Sequence, residues 1–100
     1  MTGIVKDRFE MKDRAALEYG AAGVVVIVDH ADAAPPTDGE PVLLVRADGW
    51  FYRGRAEDVR VEPSARATGL FLRDLHADDV PIGSKLTWGA EVRVVENAVA

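Results

Sequence analysis

Two histidines and the carboxylates beside them are the first residues of this chain with the chemistry of a site. His30-Ala31-Asp32 and His76-Ala77-Asp78 are the same tripeptide, set 46 residues apart, and each follows an apolar run. At the same offset Gly23 matches Gly69 and Pro35 matches Pro81. Imidazole and carboxylate groups are ligands for a divalent ion, so His30, Asp32, His76 and Asp78 would form a metal site if their two loops converged. The competing explanation is turn chemistry, because Asp and Pro suit strand-exit turns for backbone reasons of their own. Turn chemistry is the commoner origin of such a match. No metal ligand, cofactor or catalytic residue is therefore assigned, and the chain is not expected to be an enzyme.

Other reactive residue types lack the context their chemistry needs. Asp78-Asp79 is a carboxylate pair in a polar loop, and general acid–base work requires a buried carboxyl in a cleft. Ser64 and Ser84 do not sit in a nucleophile elbow. Gly3, Gly20 and Gly23 form neither a dinucleotide fingerprint nor a phosphate loop. Trp50, Phe51 and Tyr52 beside Arg53 and Arg55 have the composition of a stacking platform for single-stranded nucleic acid. Such a platform normally comes with a basic surface, and this chain carries 12 Lys and Arg against 17 Asp and Glu, a net charge of −5. Core or interface aromatics are the expected reading.

Composition sets the remaining bounds. The 100 residues are 48% hydrophobic and 29% charged, which fits one globular domain with a single modest core. Without cysteine there is no disulfide framework and no thiolate metal site. The longest apolar run, Ala21 to Val28, is far shorter than the ~20 residues that cross a bilayer. It also lies behind the charged segment Lys6–Glu18, the wrong place for a cleaved signal.

The elements that must position these residues read as α+β, mainly β: a small antiparallel β-barrel or sandwich with one N-terminal helix. The helix is expected at 6–19. There Val5, Phe9, Ala16 and Tyr19 fall near one face and Gly20 stands as the residue that ends it. Strands are expected at 23–29, 42–47, 50–54, 58–62, 69–73, 85–88 and 91–96. Val24 to Val28 is an unbroken β-branched run, suited to the most buried strand. Asp48-Gly49 predicts a two-residue type I′ hairpin, and Gly54 a bulge or bend. His30 to Pro41, with its adjacent prolines, predicts an exposed, mobile loop. Leu86 and Trp88 alternate with polar neighbours, as do Val92 and Val94. With Leu72 these five are the expected wall of the core.

The C-terminal third carries a resemblance. Gly69–Leu75, followed by Asp79-Val80-Pro81-Ile82-Gly83-Ser84-Lys85-Leu86-Thr87-Trp88-Gly89-Ala90-Glu91-Val92-Arg93-Val94-Val95-Glu96, is similar to the strand–turn–strand segment of phage head–tail joining proteins. Those are the connectors and stoppers between portal and tail. The pattern is an apolar strand, an acidic residue with valine, a proline, Gly-x-x-Leu, a Gly turn and alternating valines. Many members add a further strand, where this chain has only Ala98-Val99-Ala100 after Asn97. The resemblance implies a non-enzymatic virion component, assembled in the host cytoplasm as a homo-oligomeric ring. Its partners would be portal, adaptor or tail proteins, and DNA would at most pass through the lumen. The alternative, and the one that follows if the resemblance does not hold, is a cytoplasmic stand-alone β-barrel module. It would bind a peptide or small ligand near Trp50–Tyr52 and Trp88.

Overall fold

Five consecutive β-branched side chains make Val24–Val28 stiff and pleated, and around them the chain lays down its sheet. The computed structural model describes residues 1–11, 22–30, 34–62, 66–89 and Val92. Its strands are β1 Thr2–Met11, β2 Gly23–Asp29, β3 Pro41–Val45, β4 Phe51–Arg55, β5 Glu57–Glu62, β6 Ala67–Arg73 and β7 Lys85–Trp88. A single 3₁₀ turn, Ala77–Asp79, lies between β6 and β7. All seven strands belong to one sheet in the order β4-β3-β7-β1-β2-β6-β5. Every neighbouring pair is antiparallel.

One face of this sheet is the core. Val5, Val24, Val26, Val28, Val42, Leu44, Leu70, Leu72, Leu86 and Trp88 alternate along their strands and are buried together. Burying each aliphatic side chain of this size contributes roughly 1.5–3 kcal/mol before chain entropy is set against it. The sheet curves so that this face is turned inward. The bend brings the two edge strands together in the chain, since β4 runs into β5 through the single residue Ala56. Ala56 is buried, donates its N–H to the Glu40 carbonyl at 2.9 Å and accepts from the Gly39 N–H at 2.7 Å. Across the remaining gap the Tyr52 hydroxyl donates to the Arg73 carbonyl at 2.8 Å. The sheet is nevertheless open, because among the described residues no ladder joins β4 to β5 or β6.

Several expectations are corrected. The fold is all-β among the described residues, and a single open sheet replaces the closed barrel or the two-sheet sandwich. There is no N-terminal helix over Lys6–Met11; that stretch is the second half of β1, and 12–19 lie outside the described residues. The reason is a bulge. Val5 pairs with Val28 and Asp7 with Ile27, leaving Lys6 as an extra residue. A bulge shifts the pleat by one residue, so Val5 and Phe9 leave opposite faces of one strand instead of sharing a helix face. Val5 is 0% exposed and Phe9 is 49% exposed.

Six of the expected strands are present, with ends moved by a few residues at most. Of the expected strand 91–96 only Val92 is described; it is buried but not in a strand, and Val94 lies outside the described residues. Gly54 pairs in register with Val42, so the ladder carries no bulge there. The glycine is used differently: a Cβ on it would stand 2.5 Å from the Tyr52 side chain, whose ring lies across this position.

The loop after β2 is exposed at Ala34, Thr37, Asp38 and Gly39, and it is also anchored. His30 and Pro36 are buried, and the Ala34 carbonyl accepts the Trp88 indole N–H at 2.9 Å. Asp38 Oδ1 accepts the Val59 N–H at 2.8 Å, and Thr37 N–H donates to Glu40 Oε2 at 2.9 Å. The Ala34 and Asp38 bonds tie the loop to β7 and β5, and the Thr37 bond closes its exit on itself.

Candidate functional site

The two His-Ala-Asp tripeptides stand at opposite ends of the sheet. His30 follows the last residue of β2, while His76 lies beyond the end of β6. The two strands are antiparallel, with Asp29 opposite Ala67 and Gly23 opposite Arg73. A strand of that length separates the ends by about 20 Å. His30 is 7% exposed, with Nε2 2.8 Å from the Thr68 hydroxyl and its ring edge-on to Trp88 at 6.4 Å. It packs as a core residue.

His76 is exposed at the head of the 3₁₀ turn, where its N–H donates to Asp79 Oδ2 at 2.8 Å. The next N–H, of Ala77, donates to Glu10 Oε1 at 2.8 Å. The second tripeptide is thus a capped turn. Asp78 is exposed, and Asp32 lies outside the described residues. Among the described residues no three histidine or carboxylate side chains come together as metal ligands. Ser84 is buried and its hydroxyl donates to the Pro81 carbonyl at 2.6 Å, closing a turn; Ser64 lies outside the described residues.

The aromatic cluster is divided by the pleat. Trp88 is 1% exposed, inside the core, and Tyr52 reaches inward across the seam. Tyr52 lines a shallow cavity of about 650 Å³ in the angle between β4 and β5, together with Gly54, Ala56, Glu57, Arg73 and Asp74. Arg73 Nε donates to Glu57 Oε2 at 3.0 Å across it. Burial, then the carboxylates of Asp74 and Glu57, push the Tyr52 phenol above its usual pKa. Trp50 and Phe51 are exposed instead, with 36% and 57% of their surfaces open, at the turn end of β4. Each carries an arginine on its ring: Arg46 lies 4.8 Å from the Trp50 centroid and Arg53 lies 5.8 Å from that of Phe51.

The hairpin that presents them differs from a two-residue turn. Val45 pairs with Phe51, Arg46 N–H donates to the Trp50 carbonyl at 2.9 Å, and Gly49 N–H donates to the Arg46 carbonyl at 3.0 Å. This is a three-residue loop, a type I turn closed by Gly49 at φ 90°. The extra residue lets Asp48 reach both sides of the turn. Its Oδ1 accepts the Arg46 Nε–H and the Trp50 N–H, each at 3.1 Å. The Arg46 contact first, and the Trp50 N–H second, hold the Asp48 carboxyl below the usual carboxylate range. Arg46 is thereby fixed over Trp50. Sequence reasoning found the aromatics and missed Arg46; the signal was an arginine two residues before Asp48, which matters only once the loop length is known.

No protein-family model matches this chain, and neither a curated protein nor a solved structure matches it. Among the described residues no helix is long and apolar enough to cross a membrane.

Proposed function

We propose that this chain is a non-enzymatic binding module whose working surface is the β3–β4 hairpin and strand β4. The observation that carries the reading is the pair of exposed aromatic rings, Trp50 and Phe51, each with an arginine on its face. A ring left in water wastes apolar surface, and Trp, aromatic and Arg side chains dominate the energetics of protein interfaces. The rings are held by a hydrogen-bonded turn and a regular ladder, so little order has to be created on binding. The partner is a protein segment rather than a nucleic acid. Of the arginines here, Arg46 is taken up by Asp48, and the chain as a whole is acidic.

The test compares proteins retained by the parent with those retained by the double variant Trp50→Ala, Phe51→Ala. Both side chains lie outside the core cluster, so the variant should keep its fold. Partners held by the parent and lost by the variant support the reading; equal retention by both overturns it. A narrower form is the ring subunit joining phage head to tail. Light scattering separates the two forms: a closed ring has one fixed mass, and the stand-alone module has the mass of one chain.

A further inference from the structure

Resting on that reading, we infer how the partner is held: an extended segment of another protein adds as a strand to the edge of β4 that no described strand pairs with, and it sets a carboxylate opposite Arg53. Antiparallel ladders alternate between pairs that exchange hydrogen bonds and pairs that do not. Arg46 with Trp50 and Glu40 with Ala56 are bonded pairs, from the N–H donated by Arg46 and the N–H donated by Ala56. By the same alternation Leu44 with Tyr52 and Val42 with Gly54 are bonded, and Phe51, Arg53 and Arg55 are not. The N–H and C=O groups of Phe51 and Arg53, the two the proposal uses, therefore point away from β3. Among the described residues no strand pairs with that edge.

The two ends of the sheet treat their edges differently. β5 is broken by a register shift between Glu57 and Arg60, and Asp58 within it has φ 49°. Bulges and charges of this kind guard an edge against pairing. β4 pairs with β3 without a shift over all five residues and contains no proline. It has the form of an edge left available for strand addition.

Charge then selects the occupant. Arg55 donates to the Gly39 carbonyl at 3.0 Å, Arg73 pairs with Glu57, and Arg46 with Asp48. Arg53, exposed at the middle of the edge, rests on the Phe51 ring and meets no carboxylate among the described residues. A carboxylate on the incoming strand beside Arg53, next to an apolar residue against Phe51, matches what this edge offers. A second copy does not match. Two β4 edges paired antiparallel about Arg53 would set arginine against arginine.

The experiment uses the full chain and a labelled peptide, Ser-Thr-Val-Glu-Val-Thr-Ser, read by fluorescence anisotropy at low salt. Saturable binding is expected. It should weaken about tenfold when the peptide's glutamate becomes lysine, because the change replaces an attraction to Arg53 by a repulsion, together on the order of 1.4 kcal/mol. The substitution Arg53→Pro removes an amide that points outward, so the fold should survive by circular dichroism while binding is lost. Arg53→Glu should restore binding of the lysine peptide.

No binding of either peptide, or undiminished binding to the folded Arg53→Pro variant, overturns strand addition. So does uptake of an oligothymidylate in place of the peptide, which would make the surface a stacking platform. If native partners are still lost with Trp50→Ala, Phe51→Ala while the peptide fails to bind, the module stands and only the edge mode falls.

Discussion

Tyr52 does at one residue what the open sheet fails to do by a ladder: it spans the seam and hydrogen-bonds the far side through the Arg73 carbonyl. That bond contributes about 1 kcal/mol net, and it needs the phenol's proton. Burial and two nearby carboxylates raise the phenol's pKa in the folded chain above its ordinary value of 10.0. With a raised folded-state pKa, the contribution is complete below about pH 10 and is lost as pH climbs through the folded value. Stability measured by urea should therefore fall on the alkaline side, starting near the ordinary tyrosine pKa. Tyr52→Phe should cost about 1 kcal/mol at pH 7 and show a shallower alkaline fall than the parent. Parallel alkaline curves for the two proteins would mean that the phenol does not titrate differently on folding. Gly54 belongs to the same device. Gly54→Ala should cost roughly 1–3 kcal/mol, because the new methyl meets the Tyr52 ring, and much less when residue 52 is already alanine.

At the scale of elements the test case is β1. Its bulge at Lys6 places Val5 in the core and Phe9 outside, though spacing alone puts both on one helical face. Val5→Ser should destabilise by about 2–4 kcal/mol, and Phe9→Ser by no more than about 1 kcal/mol, in urea unfolding monitored by circular dichroism. Similar costs for both would return the helix. This strand also shows what was legible in the sequence and what was not. Strands with a pure period of two or a β-branched run, such as β2 and β7, are readable because neighbouring residues alone set their faces. The β1 pattern is not, since a bulge is chosen by its partner strands, and Lys6-Asp7-Arg8 looks like a solvated helix until those partners are known.

The loop after β2 is legible in part: its prolines forbid regular structure and leave it exposed, while its anchors, Trp88 and Val59, come from far along the chain. For the site, Trp50 and Phe51 were visible as interface candidates, while Arg46 depended on loop length. The histidine repeat was visible as well, and strand direction alone puts its two copies at opposite ends.

For the whole molecule, the consequence of an open sheet is an edge that must be kept from pairing with its own kind. β5 is guarded by its backbone, through the register shift and the positive φ of Asp58. β4 has a regular backbone, so its protection falls to side chains, and Arg53 at its centre is the one that meets its own image in an antiparallel pair. Phe51 would then oppose Arg55 of the other copy, a neutral pairing, which leaves the arginine clash as the main obstacle. Arg53→Val removes that clash and puts a β-branched residue on each side of the centre. The variant should self-associate where the parent does not, seen as a mass that rises with concentration in sedimentation equilibrium at micromolar to millimolar chain. Its far-ultraviolet circular dichroism should remain that of a folded β-protein, since Arg53 is exposed and outside the core cluster. If the Arg53→Val variant stays monomeric throughout this range, charge is not what keeps the edge unpaired, and strand addition at β4 loses its physical basis.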